Sequence, residues 1–296
     1  MAAPLAARPA SPSMAQLMRA GYAGRAGVYV IVGVLALLAA WRGGAAEGTR
    51  DALAQVARNP WGDAALILVG LGLLAYAMWR AVDAALDLEG FGAGAKGLAA
   101  RGAMMISGLV HLGLAVYCAD LVLNAATSGG GGAQGLTARL LSEPWGRWAV
   151  MAAGAGVIGA GVYYAAKGAN AGYRREMRAT ETTRRLDPVL RAGLPAQGGV
   201  LGLVGAFILW AGWTHDASEA GGVGRAFAEI REAPWGQALL VATAAGLVAF
   251  SVYNAVRAWR GIAPRAAEAD VTTLGGRSVG EITGRVEHAA RKTAGR

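Results

Sequence analysis

Residues 53–80 read LAQVARNPWGDAALILVGLGLLAYAMWR: a weakly amphipathic stretch, a Pro-Trp-Gly step at Pro60, Trp61 and Gly62, then an apolar run that closes on Trp79 and Arg80. The same succession returns at Pro144, Trp145 and Gly146, and again at Pro234, Trp235 and Gly236. The spacings are 84 and 90 residues, so the repeated object is a whole structural unit rather than a turn. Val56, Leu140 and Ile230 stand four residues before each Pro, and Leu53, Thr137 and Phe227 stand seven before. Spacings of three and four mark one helical face, which predicts a short helix lying on a membrane surface before each step. Pro then suits the first turn of the following helix, where its missing N–H costs nothing. Trp suits headgroup depth, and Gly lets the turn pack against a neighbour.

Outward from the motif, six apolar runs are bounded by charges. They lie between Arg25 and Arg42, Asp63 and Arg80, Arg101 and Asp120, Arg147 and Lys167, Arg191 and Asp216, and Glu232 and Arg257. The first two enclose 16 residues each, about 24 Å of helix, short of a hydrocarbon core of about 30 Å unless the flanking Arg side chains snorkel. Apolar residues make up 55% of the chain and charged residues 16%, against about 25% charged in soluble domains. That balance, in six blocks, argues against the alternative of buried helices in a soluble bundle. The 46 glycines suit closely packed membrane helices. All nine Trp fall near predicted helix ends, as an interfacial belt requires.

The expected architecture is all-α integral membrane: six transmembrane helices as three parallel two-helix repeats with pseudo-threefold symmetry. The division is a disordered tail over 1–18, units over 19–90, 91–172 and 188–262, a basic linker over 173–187, and a tail over 263–296. After each motif Gly72, Gly156 and Gly246 stand in register, followed by Trp79, Tyr163 and Tyr253. Small residues four apart predict packing faces at Ala152, Gly156 and Ala160, at Ala238, Ala242 and Gly246, and at Gly198 and Gly202. The run after Arg25 imitates the core of a secretory signal, but its later counterparts argue against cleavage.

Of the 28 Lys and Arg residues, only Arg42, Arg50, Arg58, Arg139, Arg147, Arg225 and Arg231 fall on the side of the three motifs. The excess on the other side places both termini in the cytoplasm of a bacterial inner membrane. It also accounts for the net charge of +9 without nucleic acid. Arg174, Arg175, Arg178, Arg184 and Arg185 are expected to contact anionic lipid headgroups.

Each unit opens on a second shared pattern. Gly21-Tyr22-Ala23-Gly24-Arg25 corresponds to Gly97-Leu98-Ala99-Ala100-Arg101 and to Gly193-Leu194-Pro195-Ala196-Gln197, where Gln replaces Arg. Three two-helix units, with Gly-Tyr-x-x-Arg before one helix and Pro-Trp-Gly before the other, resemble the bacterial membrane family DUF1206 over roughly residues 19–260. The resemblance implies an integral membrane protein and brings no catalytic residue with it.

Chemistry-bearing residues are few. His111 is the one ionisable side chain near the middle of a predicted span, with Ser107 one helical turn away, and an intramembrane His is a functional candidate. The competing reading is a neutral His bonded to a neighbouring helix. No Asp, Glu, Lys or Arg is expected deep in a span, which argues against a transporter built on a buried carboxylate. With three His and one Cys, Cys118, the chain offers no paired haem ligands, Cys-based zinc site or disulfide framework, so neither cofactor nor metal is expected. Gly129 to Gly132 read as a flexible linker. Val279, Ile282 and Val286 hint at one amphipathic helix in the final tail. The expected function is a structural or interaction component of the membrane, with unknown protein partners. The alternative is a channel or transporter with a path along the pseudo-threefold axis or between units, and an enzyme built on His111 is the weakest reading.

Overall fold

The apolar runs become helices longer than the charges around them suggest. In the computed structural model, which describes residues 12–124, 133–262 and 271–281, they form α1 (Pro12–Arg42), α3 (Gly62–Leu86), α4 (Ala95–Asn124), α6 (Gly146–Ala169), α7 (Glu181–Thr214) and α9 (Gly236–Arg260). All six are long and apolar enough to cross a membrane. Even the shortest, α6 with 24 residues, reaches about 36 Å. Arg25 and Arg80 therefore lie inside helices and do not snorkel from their ends. Helix α1 begins within the stretch expected to be a disordered tail, and Met18 is buried with Tyr22, Tyr76, Trp79 and Leu88. Residues 1–11, the Gly129–Gly132 stretch and the Ile282 and Val286 positions lie outside the described residues.

Each expected surface helix is present: α2 (Thr49–Ala57), α5 (Ala133–Leu141) and α8 (Val223–Glu232). Leu53, Val56, Thr137 and Phe227 point inward from them and are buried, as their spacing predicts. The step that follows is a tight turn. Gly62, Gly146 and Gly236 donate their N–H groups to the carbonyls of Asn59, Glu143 and Ala233 at 2.8, 2.9 and 2.8 Å. Pro is the second residue of that turn and Trp the third, so Pro precedes the helix and does not sit in its first turn. Trp61 and Trp145 have φ of −99° and −93°, as a type I turn requires. Trp235 has φ 62°, a left-handed conformation uncommon for a non-Gly residue. Gly is demanded by the unit's own surface helix, not by a neighbour. A Cβ at Gly62, Gly146 or Gly236 would run into the carbonyl oxygen of Val56, Leu140 or Arg231 respectively.

The three steps share one end of the molecule, here called the tip end. Gln134 of the second unit donates to the Ser218 carbonyl of the third at 3.2 Å. Arg231 of the third donates to the carbonyls of Gly43, at 2.9 Å, and Gly44 of the first. Between units the packing follows the threefold order: α3 on α4, α6 on α7, α9 on α1. Within units it does not. In the first, a Cβ at Gly21 would meet the Tyr76 Cα at 2.6 Å, and one at Gly24 the Gly72 Cα at 2.5 Å. In the third, Gly193 abuts Phe250 and Gly246 abuts Ala196 at the matching positions. In the second, Gly156 has nothing within 4 Å, and among the described residues α4 and α6 lack the extensive packing that α1 makes with α3 and α7 with α9. The ring runs α4-α3-α1-α9-α7-α6 and is open at a seam between α6 and α4.

The packing faces are corrected accordingly. Ala152, Gly156, Ala238 and Ala242 are exposed, whereas Gly154 and Gly161 carry α6 against α7 at Gly205, Gly198 and Gly202. Gly246 and Gly198 keep their expected role, whereas a Cβ at Gly202 would meet nothing within 4 Å. Eight of the nine Trp are exposed near helix ends, but Trp79 is 1% exposed and belongs to the core. The helix interior toward the tips is built on apolar side chains, among them Val32, Ala36, Leu66, Val69, Ala244 and Leu247. The segment expected as a basic linker is ordered. A short 3-10 turn (Gly172–Glu176) leads to Thr180 and Thr183, whose reciprocal capping box starts α7. Residues 271–281, within the expected final tail, pair with it through Arg178–Thr273 and bury Val279.

Candidate functional site: a buried charge network at the basal end

At the end opposite the tips, four helices turn one polar face inward. Helix α1 presents Tyr22, Arg25 and Tyr29; α3 presents Tyr76, Arg80 and Asp83. Helix α9 presents Phe250, Tyr253 and Arg257, and α6 presents Tyr164 and Lys167. The spacings of three, four and seven keep each set on one face. The loop after α3 adds Glu89. Asp87, left-handed at φ 53°, shapes that loop by accepting the N–H groups of Phe91 and Gly92 at 2.7 and 2.8 Å. The 3-10 turn after α6 adds Glu176.

These groups form one connected system. Arg80 donates from Nη1 to Asp83 at 3.0 Å and to Glu89 at 3.4 Å. Glu89 also takes Nη2 of Arg257 at 3.2 Å. The other arm of Arg257 reaches the Glu176 carboxylate at 3.2 Å, and that oxygen accepts from Lys167 Nζ at 2.7 Å. Arg257 is 0% exposed and further donates to the Tyr22 hydroxyl at 2.9 Å. Three cations and three carboxylates, contributed by all three units, thus balance. Buried charges are tolerated only when paired in this way.

Glu176 lies outside the spanning helices, and its carboxyl has a displaced pKa. Burial disfavours its charge, but Lys167 and then Arg257 overcome that and pull it from 4.5 down to about 2. A carboxyl depressed on folding stabilises the folded state fully above its ordinary value, and that contribution fades as pH falls through the folded value. Acid unfolding followed by circular dichroism should show wild type losing its advantage over Glu176→Gln between pH 4.5 and about 2. Lys167, Arg257, Arg175 and Tyr253 are the ionisable groups that bear on it.

Arg25 is the cation left over. It is 3% exposed, and among the described residues no carboxylate lies within the 4.0 Å ion-pair distance. Nη1 donates to the Tyr76 hydroxyl at 3.0 Å and Nη2 to that of Tyr164 at 3.1 Å, while Nε has no partner. The rings of Tyr29, Tyr76, Tyr164 and Phe250 surround its guanidinium at 4.9–5.9 Å. Gln197, the third unit's counterpart of Arg25, donates to the Tyr29 hydroxyl at 3.0 Å and leaves its Oε1 unpartnered. The second unit's counterpart, Arg101, instead grips the carbonyls of Ala84 and Ala85 at the end of α3.

The expected site residues fall in three places. His111 lies beside this system, its ring 4.6 Å from that of Tyr76. Its Nδ1 stands 2.7 Å from the Ser107 carbonyl; a carbonyl only accepts, so the proton is on Nδ1. Its partner is therefore its own helix, not a neighbouring one. The Pro-Trp-Gly steps are at the far, tip end. Arg175, Arg178, Arg184 and Arg185 are exposed at the basal end, where Arg185 pairs with Glu181. Arg174 is held by Asp187 through two hydrogen bonds, at 3.0 and 2.5 Å.

Sequence reasoning missed the network because it treated charges as the ends of spans. One signal was available. Asp83, Lys167 and Arg257 each stand twenty-three residues after the Pro of their unit, ionisable in all three copies.

Residues 20–87, 97–171 and 192–261 match the model of a Domain of Unknown Function, DUF1206. The chain is also similar to Uncharacterized protein YxxB of Bacillus subtilis (strain 168), with 29% identity over 246 residues that cover 82% of this chain and 89% of that one. No solved structure matches. Each matched segment falls on one two-helix unit, and the chain, a multi-pass membrane protein, belongs to the DUF1206 family.

Proposed function

We propose that this protein is a structural and interaction component of the bacterial cytoplasmic membrane, with both termini on the cytoplasmic side. One observation carries the reading: the basal ends of all three units are tied by a charge-balanced network rather than parted around a passage. The apolar cluster toward the tips supports it, since such side chains do not solvate a moving ion. The Lys and Arg excess at the basal end supports the orientation. The exposure of Arg175, Arg178, Arg184 and Arg185 at the basal end supports a contact with anionic headgroups.

The orientation is tested with single cysteines in a Cys118→Ser background. Asn59→Cys, Glu143→Cys and Ala233→Cys should all react with an impermeant maleimide on intact spheroplasts, and Arg178→Cys only after permeabilisation. Labelling of the three tips from different sides would refute it. The structural reading itself predicts that vesicles containing the protein release small ions and sugars no faster than empty ones.

A further inference from the structure

We propose that Arg25 is the binding site for the phosphate of an anionic phospholipid, which reaches it from the bilayer through the seam between α4 and α6. The inference rests on the membrane embedding but not on the orientation or on the exposed arginines of the basal surface.

A guanidinium buried to 3% exposure without a carboxylate is an unusual balance. Every other cation of the network has an acidic partner, and the carboxylates there are already matched one for one. What Arg25 lacks is an anion. Its unpartnered Nε lies on the same edge of the guanidinium as Nη2, and that edge is the fork that takes a phosphate in two parallel hydrogen bonds. Nη2 is occupied only by the Tyr164 hydroxyl, a neutral acceptor that a phosphate oxygen outcompetes. Beyond Tyr29, the free Oε1 of Gln197 is an acceptor that suits a headgroup hydroxyl.

The route follows from the open ring. The two helices that flank the seam both bear on this site, α6 through Tyr164 against Arg25 and α4 through His111 against Tyr76. Tyr164 is half-buried, and neighbouring Val162 and Tyr163 are exposed. Rotation of the Tyr164 ring opens the site sideways, toward acyl chains. Toward water the site is roofed by the Arg80, Glu89, Arg257 and Glu176 network and by residues 271–281. The depth fits too. With Trp41 at one edge of a hydrocarbon core of about 30 Å, the other edge falls near Gly21, one helical turn from Arg25.

The test uses the full chain in nanodiscs of phosphatidylcholine with added phosphatidylglycerol, and native mass spectrometry of the released protein. Wild type should retain one phosphatidylglycerol. Arg25→Gln should retain it at least about tenfold more weakly, the loss of a charged bidentate contact. Tyr164→Phe, which frees Nη2, should retain it as well or better. Neutralising Arg58 and Arg139, exposed cations at the tip end, should change nothing. If Arg25→Gln melts early, Tyr164→Trp, which fills the seam and keeps the charge, should weaken retention instead. Unchanged retention in a folded Arg25→Gln protein would overturn the proposal. Equal retention of phosphatidylcholine, or inorganic phosphate protecting wild type as well as the lipid does, would also overturn it, the latter by moving the source to water.

Discussion

Arg257→Met is expected to lower the stability of the folded protein by about 3–5 kcal/mol, the cost of stranding buried charges. The substitution keeps most of the volume and removes the side chain that links Glu89 and Tyr22 of the first unit to Glu176. Glu89 and Glu176 lose a shared cation, the Tyr22 hydroxyl and the Ile262 carbonyl lose the Arg257 donor, and the Glu176 carbonyl keeps only the Ile262 N–H. Arg257→Lys should fall between, because an ammonium keeps the charge but not the fork that spans two carboxylates. Arg185→Ala is the control. Its pair with Glu181 is 78% and 68% exposed on the two side chains, and such pairs contribute about 0–1 kcal/mol. Cys118 offers the readout: it is the single cysteine of the chain and is buried, so a thiol-reactive dye reports unfolding. An Arg257→Met protein that melts within a degree or two of wild type would show that the network does not hold the units together.

The second large effect is a contrast within the repeat. Gly72→Ala should destabilise the protein by about 1–3 kcal/mol, the usual cost of overpacking. Gly156→Ala, at the same position of the second unit, should be neutral or stabilising by up to about 1 kcal/mol. A Cβ at Gly72 meets the Gly24 Cα at 2.5 Å, backbone against backbone, and neither helix can yield without opening the pair. At Gly156 nothing lies within 4 Å, so Ala only gains helix propensity. Gly246→Ala should resemble Gly72→Ala, since its new methyl would overlap the Ala196 Cβ. Equal melting shifts at all three positions would mean that the second unit is closed like the others.

Most of the architecture was legible because it depends on periodicity and composition. The Pro-Trp-Gly turns, the three surface helices with Leu53, Val56 and Phe227 inward, and the six apolar helices all follow from patterns of three, four and twenty or so residues. Trp79 misled because an indole near a helix end suits an interface or a core equally, and only the neighbouring Met18, Tyr22 and Tyr76 decide between them. Arg25 and Arg80 misled for the same reason. A charge near a span's end reads as a snorkelling anchor unless one knows that a face of three other helices is waiting for it.

The sequence by itself determined that this chain crosses a membrane in three like units, because bilayer thickness and backbone hydrogen bonding leave an apolar run of that length little else to be. Only the tertiary structure decided that the middle unit stands open, and that charges from all three units share one interior in which, among the described residues, Arg25 has no carboxylate within ion-pair distance. Helix phase tells which residues lie on one face. It does not tell which other face they meet, and the balance of a buried charge is set entirely by that meeting.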